Sequence, residues 1–244
     1  MKVLAIDSSS IVAGVAILEA DRLLYEGYQH LEKNHSVILM PMVEKALNSC
    51  QMTPDQMDLF AVSGGPGSFT GLRIGISTVK GLAQAVEKPA AAVPTLDALA
   101  YNVTGPEDAL VCPIMDARRD QVYTCVYRWE GNRYVPLMPY SALPVGKLTD
   151  QLILSQKPIY FVGDGIPVYR DKLSERLGKS ARFAPPYLTY QRASVIGWLG
   201  MREAAEGKAV PCQSLKPFYL RPSQAEQKRS RQQRASGKEM GETP

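Results

Sequence analysis

The chain has 244 residues, 45% of them hydrophobic and 21% charged, a balance typical of a globular protein with one large or two modest domains. Its formal net charge is +4, and six basic and three acidic residues at 221–244 supply +3 of that. The nearly neutral remainder argues against a protein that grips nucleic acid through an overall basic surface. The four cysteines lack metal or redox spacing and no apolar run could span a bilayer, so we expect a cytoplasmic protein without a membrane partner.

The first part of the chain alternates short apolar runs with turn residues, a pattern typical of strands. Three such runs in succession predict an antiparallel meander, and helix-forming stretches follow it, the first of them containing Pro41. The predicted elements are strands 3–6, 12–18, 23–29, 59–62 and 90–93 and helices 36–49 and 70–86.

The second part of the chain repeats this order. It predicts strands 109–115, 121–129, 133–138 and 159–162 and helices 148–154, 169–177 and 192–206. Asp7 and Asp116 each end the first strand of a predicted meander, which indicates two related domains. We place them at residues 1–104 and 105–222, with helix 192–206 as a candidate to pack back on the first domain. Residues 223–244 predict a disordered basic tail because they are almost without apolar side chains.

A glycine-rich segment, SGGPGSFTGLRIG, lies at residues 63–75 between a predicted strand and a predicted helix. Glycine allows positive φ angles and close backbone approach, and the start of a helix attracts anions such as phosphate. The same composition is typical of a tight strand-to-helix connection without a ligand. The segment lacks the lysine of the P-loop, and Thr70 stands where the dinucleotide pattern needs its third glycine. Both interpretations stay open at this point.

Five short segments carry a family resemblance. They are AIDSS at 5–9, HS at 35–36 followed by Pro41, the glycine-rich segment 63–75, DARR at 116–119 and FYLRP at 218–222. Together they resemble the TsaB family, which belongs to the bacterial machinery that makes threonylcarbamoyladenosine in tRNA. The duplicated meander is similar to the actin-like ATPase architecture, in which nucleotide binds between two domains. The resemblance therefore implies an α/β fold of two tandem actin-like, or ribonuclease-H-like, domains, each with a mixed sheet and flanking helices.

For function, the resemblance implies a non-catalytic subunit that dimerises with the catalytic paralogue TsaD and helps to recruit the ATPase TsaE. Contact with tRNA would be indirect, through the complex, and a homodimer would form when TsaD is absent. Two alternatives stay open: an independent actin-fold ATPase or kinase, and a peptidase that acts on its paralogue.

The resemblance also implies a candidate nucleotide cleft between the two domains. After the second aspartate, where actin-like ATPases have small residues, this chain has Arg118 and Arg119, which would crowd a phosphate or hold an anion themselves. We expect a degenerate site that binds ATP or ADP with Mg²⁺ weakly or not at all, with no catalytic residue. The candidate nucleotide-binding residues are Asp7, Ser8, Ser9, Gly65, Gly67, Asp116, Gly163 and Gly165.

No metal site is expected. The resemblance puts Thr95 and Leu99 at the positions of the metal-binding histidine pair of TsaD. The whole chain has two histidines, His30 and His35, which are too few for a histidine-rich centre. We therefore expect no required cofactor.

Two predicted helices have the composition of a partner interface. Residues 37–43 are apolar over more consecutive positions than one core-facing stripe can hide, and helix 70–86 carries small residues that let another helix approach. The alternative is that both helices are buried within their own chain. In the resembling family this pair of helices contacts TsaD, and the interface prediction here comprises Leu39, Met40, Met42, Val43, Leu72, Ile76 and Val79.

Overall fold

The structure, a computed structural model, describes residues 1–30, 35–104 and 107–222. Gly105 and Pro106, at the predicted domain boundary, lie outside the described residues. The same holds for the predicted tail at 223–244. The division of the chain into domains at 104 and 105 stays a prediction.

The first sheet has six strands in the order β13-β5-β4-β1-β2-β3. The antiparallel meander β1-β2-β3 is confirmed, and β1, β4 and β5 run parallel to one another. The carboxyl ends of these parallel strands therefore share one edge of the sheet. The strands are β1 (Lys2–Asp7), β2 (Val12–Glu19), β3 (Arg22–His30), β4 (Leu59–Gly65), β5 (Pro89–Pro94) and β13 (Val210–Pro211).

Helices cover both faces of the first sheet because β1 is apolar on both faces. Leu4 and Ile6 pack into the core shared with α1 (His35–Ser49) and α2 (Phe69–Ala85). Val3 and Ala5 point the other way, into a core completed by Ile196 of α7 (Ala193–Ala205). The last helix of the chain thus packs on the sheet built by its first residues.

The second sheet has seven strands, with β10-β7-β6-β11-β12 in order, β8 paired with β6, and β9 paired with β8. The strand predicted at 121–129 is wrong as a single strand, because it breaks at Cys125 and Val126. By the register on either side, Pro113 of β6 faces that break, and proline has no N–H to donate to a ladder. The strands are β6 (Leu110–Asp116), β7 (Gln121–Thr124), β8 (Tyr127–Glu130), β9 (Arg133–Pro136), β10 (Ser141–Pro144), β11 (Ile159–Val162) and β12 (Ala181–Phe183).

The remaining helices are α3 (Thr95–Ala100), α4 (Val145–Ile153), α5 (Ile166–Leu177) and α6 (Pro186–Thr189). Sequence patterns did not predict α3 and α6 or the short strands β10, β12 and β13, all of six residues or fewer. Across the described ranges, no helix has both the length and the apolar character needed to cross a membrane.

Candidate functional site

A cleft of about 450 Å³ opens at the sheet edge where β1 and β6 end. Among the predicted nucleotide-binding residues, Ser9, Gly67 and Asp116 line it. The other five do not line it: Asp7, Ser8, Gly65, Gly163 and Gly165. The sequence prediction therefore locates the cleft and misassigns most of its lining.

Asp7 is buried beneath the turn that follows it, with a relative exposure of 1%. Its Oδ1 accepts hydrogen bonds from the Ser9 N–H at 2.8 Å and the Ser9 hydroxyl at 2.7 Å. Burial raises the pKa of the Asp7 carboxyl, and the two Ser9 bonds only partly oppose that rise. Asp7 therefore holds the turn in place through Oδ1, while its buried Oδ2 has no hydrogen-bond partner among the described residues.

The glycine-rich segment packs against this same turn. A Cβ on Gly71 would overlap the carbonyl oxygen of Ser8, and a Cβ on Gly67 would overlap that of Ser9. The Ser8 hydroxyl donates to the Gly71 carbonyl at 2.9 Å, and the Ser68 N–H donates to the Ser9 carbonyl at 2.7 Å. The close approach that the glycines allow is thus made by the chain itself, which favours the tight-connection interpretation over a phosphate cradle.

Residues 218–222, which we call the strap, lie across the mouth of the cleft. The Phe218 N–H donates to the Gly64 carbonyl at 2.7 Å. The Tyr219 ring stacks on Phe69, at the start of α2, with 4.4 Å between centroids. These contacts fasten the strap to the glycine-rich segment.

The strap then reaches the loop after β6. The Arg221 guanidinium donates to the Ala117 carbonyl at 3.0 Å. On the near side, Arg73 donates through Nε to the Tyr219 hydroxyl at 3.2 Å. The strap therefore connects the two sheets' loops across the space where the resemblance placed a nucleotide.

On the far side of the cleft, Asp116 is part of an arginine turn. Its Oδ1 accepts from the Arg118 N–H at 2.9 Å and its Oδ2 pairs with the Arg118 guanidinium at 3.2 Å. Arg118, Arg119 and Asp120 have φ angles of 62°, 56° and 59°. Each left-handed residue other than glycine costs about 1 kcal/mol. The turn that exposes these two arginines is therefore conformationally strained.

Asp164 is a cleft residue that the sequence patterns did not predict. Burial, with the nearby Asp116 carboxylate, raises its pKa to about 7, against a hydrogen bond from the Asp116 N–H at 3.3 Å. The flanking Gly163, at φ 112°, is required because a Cβ there would overlap the Ile114 carbonyl. The Gly-Asp-Gly turn thus serves to place Asp164, whereas the prediction gave its two glycines a contact with nucleotide.

The chain itself makes several of the contacts around the predicted nucleotide site. Ser9 covers Oδ1 of Asp7, and Gly67 and Gly71 pack on the carbonyl oxygens of Ser9 and Ser8. His35 lies beside the same turn, with Nε2 at 2.6 Å from the Ser10 carbonyl oxygen. Within the residues that the structure describes, no group of three or more His, Cys, Asp or Glu side chains could hold a metal ion.

The predicted partner interface needs correction. Six of its residues are at most 7% exposed and belong to the core of their own chain: Leu39, Met42, Val43, Leu72, Ile76 and Val79. Met40 alone of the seven is exposed, at 47%, next to Val37 at 69%. The helical period explains the error, because Leu39, Met42 and Val43 form the inward stripe and their neighbours face outward. An apolar groove of about 400 Å³, lined partly by Met40 and Pro41, marks this outward side of α1.

Comparison with known proteins identifies the family. Residues 29–229 match the family model TsaD, tRNA N6-adenosine threonylcarbamoyltransferase. A Bacillus subtilis protein, named tRNA threonylcarbamoyladenosine biosynthesis protein TsaB, is 35% identical over 228 residues, 93% of this chain and 97% of its own. The chain belongs to the TsaB family. An Escherichia coli TsaB is 32% identical over 133 residues, 54% of this chain and 57% of its own. The family resemblance of the sequence motifs is confirmed.

Solved structures confirm the fold of this TsaB-family chain. A Pseudomonas aeruginosa protein described as similar to peptidase YEAZ has a TM-score of 0.76 and 29% identity, covering 90% of this chain and 99% of its own. Component A of (R)-2-hydroxyglutaryl-CoA dehydratase from Acidaminococcus fermentans has a TM-score of 0.50 at 13% identity, over 84% of this chain and 99% of its own, a likeness of fold alone. The predicted α/β fold, with two mixed sheets and flanking helices, is confirmed.

Proposed function

We propose that this chain is a non-catalytic subunit of the complex that makes threonylcarbamoyladenosine in tRNA, and that it pairs with TsaD and helps to recruit TsaE. Membership of the TsaB family supports the role in threonylcarbamoyladenosine synthesis. The observation that carries the non-catalytic part is the lining of the cleft, because the glycine-rich segment packs on the Ser8–Ser9 turn and Arg118 and Arg119 stand on the opposite side. We extend this to cofactors and propose that neither ATP nor ADP binds there with Mg²⁺.

The apolar outward side of α1 supports pairing as the mode of action. Val37 and Met40 are large and exposed, and Met40 lines a groove that Leu82 of α2 completes. A covered apolar groove stabilises a complex, and methionine adapts its shape to a partner. We propose that TsaD covers this side, that a second copy covers it when TsaD is absent, and that the chain acts in the cytoplasm.

Light scattering on a sizing column tests the pairing, with the chain alone and mixed with TsaD of the same organism. Met40→Lys places a charge on the outward side of α1, and we expect it to weaken the heterodimer at least tenfold while circular dichroism is unchanged. Leu154→Lys is the matched control, since Leu154 is 81% exposed on another surface. Equal pairing by Met40→Lys and the control would contradict the interface.

The choice of residue matters for that experiment. Met42, the position that the sequence alone favours, is 7% exposed and packs in the core, so Met42→Lys would unfold the chain and give a false loss of pairing. The independent-ATPase alternative has its own test. It predicts steady phosphate release by the wild-type chain without TsaD, whereas the non-catalytic proposal predicts no phosphate release.

A further inference from the structure

Four arginines surround the mouth of the cleft, and we call them the basic mouth: Arg73, Arg118, Arg119 and Arg221. The last three line the cleft, and Arg118 and Arg119 are exposed. Arg73 lies over the Phe69 ring, with its guanidinium carbon 4.0 Å from the centroid. Helix α2, the loop after β6 and the strap, which are far apart in sequence, thus bring cations to one place.

The acidic residues nearby cancel only part of this charge. Asp116 pairs with Arg118 and so offsets one of the four arginines, whereas Asp120 pairs with Lys172, outside the basic mouth. Asp164 is half-buried, and its pKa, raised to about 7 by burial and by the nearby Asp116 carboxylate, favours the neutral form. Within the described residues Arg119 makes no ion pair, which leaves its guanidinium available to a ligand.

The sequence after the strap adds positive charge to the chain. Residues 223–244 carry three acidic residues and five basic ones: Lys228, Arg229, Arg231, Arg234 and Lys238.

We propose that the basic mouth binds the phosphate backbone of RNA, so that this chain touches tRNA directly. The identity of the RNA as tRNA rests on the proposed function. Guanidinium groups match phosphate oxygens in planar, paired hydrogen bonds, and the face of Tyr219 that points away from Phe69 offers a surface for an unpaired base. An acidic protein would interact with the arginines alone, whereas RNA would interact with both the arginines and the aromatic ring.

The test is binding of a fluorescent tRNA transcript to the full chain over a series of KCl concentrations. The double variant Arg118→Glu with Arg119→Glu reverses two charges of the basic mouth. We expect at least tenfold weaker binding and a slope of log affinity against log salt that is smaller by about 2. Lys157→Glu with Lys179→Glu changes the charge equally at the opposite end of β11 and β12, and we expect it to bind nearly as the wild type does.

Equal loss in the two double variants would overturn the proposal, since only overall charge would then matter. Competition by polyglutamate as effective as competition by unlabelled tRNA would also overturn it, in favour of an acidic protein. The milder Arg119→Gln guards against misfolding, and we expect an intermediate affinity. Pairing with TsaD is measured on the same variants, so a chain that binds RNA through the basic mouth and ignores TsaD would refute the proposed function while supporting this inference.

Discussion

Asp7 and Asp116 each end a central strand, one in the first sheet and one in the second, and their surroundings differ completely. Both carboxylates end the first strand of a meander. Asp7 is sealed under Ser9, whereas Asp116 faces the cleft and pairs with Arg118. Shared topology therefore fixes where a carboxylate lies without fixing what it does.

The backbone after each strand makes the difference. In the first half, glycines at the start of α2 let the turn sink against the helix, which buries Ser8 and Ser9 completely. In the second half, three left-handed residues, 118–120, lift the chain away from the sheet and expose two arginines. Packing therefore closes the side of the cleft next to the first sheet, and the side next to the second sheet keeps a charged surface.

Gly71→Ala is expected to have the largest effect, and it tests the packing of the glycine-rich segment on the Ser8–Ser9 turn. Its Cβ would overlap the Ser8 carbonyl oxygen, which is backbone and cannot swing aside, so we expect a loss of about 3 kcal/mol in the free energy of unfolding. Gly81→Ala in the same helix meets nothing within 4 Å and should gain about 0.5 kcal/mol or slightly more. Urea denaturation compares the two variants. A neutral Gly71→Ala would mean that the turn does not need the glycine.

The charged half is tested by Asp164→Asn and its dependence on pH. Because the folded state raises the pKa of Asp164 to about 7, the protonated carboxyl favours folding. That stabilisation is fully present below about pH 4 and is lost as pH rises through 7, at up to about 1.4 kcal/mol per pH unit. Asparagine keeps the neutral shape, so the variant should be more stable than the wild type at pH 8 by about 1 kcal/mol or more.

Thermal unfolding at several pH values measures this difference. We expect the gap between Asp164→Asn and the wild type to close as the pH falls to 4. Asp171→Asn, at an exposed carboxyl on α5, is the matched control. A gap that is the same at every pH would show that the burial of Asp164 does not set its charge.

Much of this comparison is predictable from sequence because it is local. The apolar runs gave the first meander within two residues at each end, and the position of Asp7 and Asp116 follows from those runs. The break in the strand predicted at 121–129 was also readable, since Pro113 sits in the facing strand. Its effect needs only the pairing register.

The parts that sequence did not predict depend on contacts between distant residues. Phe218 meets Gly64 across more than 150 positions, and no periodicity announces a strap without regular structure. The side of α1 that faces outward also depends on which neighbour covers the other side, so a run of seven apolar residues, 37–43, could not tell Met40 from Met42.

The smallest expected effect concerns the strap, which joins the closed half to the charged half. Tyr219→Ala removes the stack on Phe69 and the hydrogen bond from Arg73, and we expect a loss of about 1 kcal/mol. Tyr187→Ala is the control, because that ring is 68% exposed on α6.

Hydrogen exchange of backbone amides shows whether the strap is a cover. If it closes the mouth, Tyr219→Ala should speed exchange in the loops on both sides, at 8–11 and 117–121, in addition to the strap itself. Faster exchange confined to 218–222 would make the strap a surface segment. The arginine turn would then close the cleft without the strap. Only the Ser8–Ser9 turn would limit the space that a nucleotide needs.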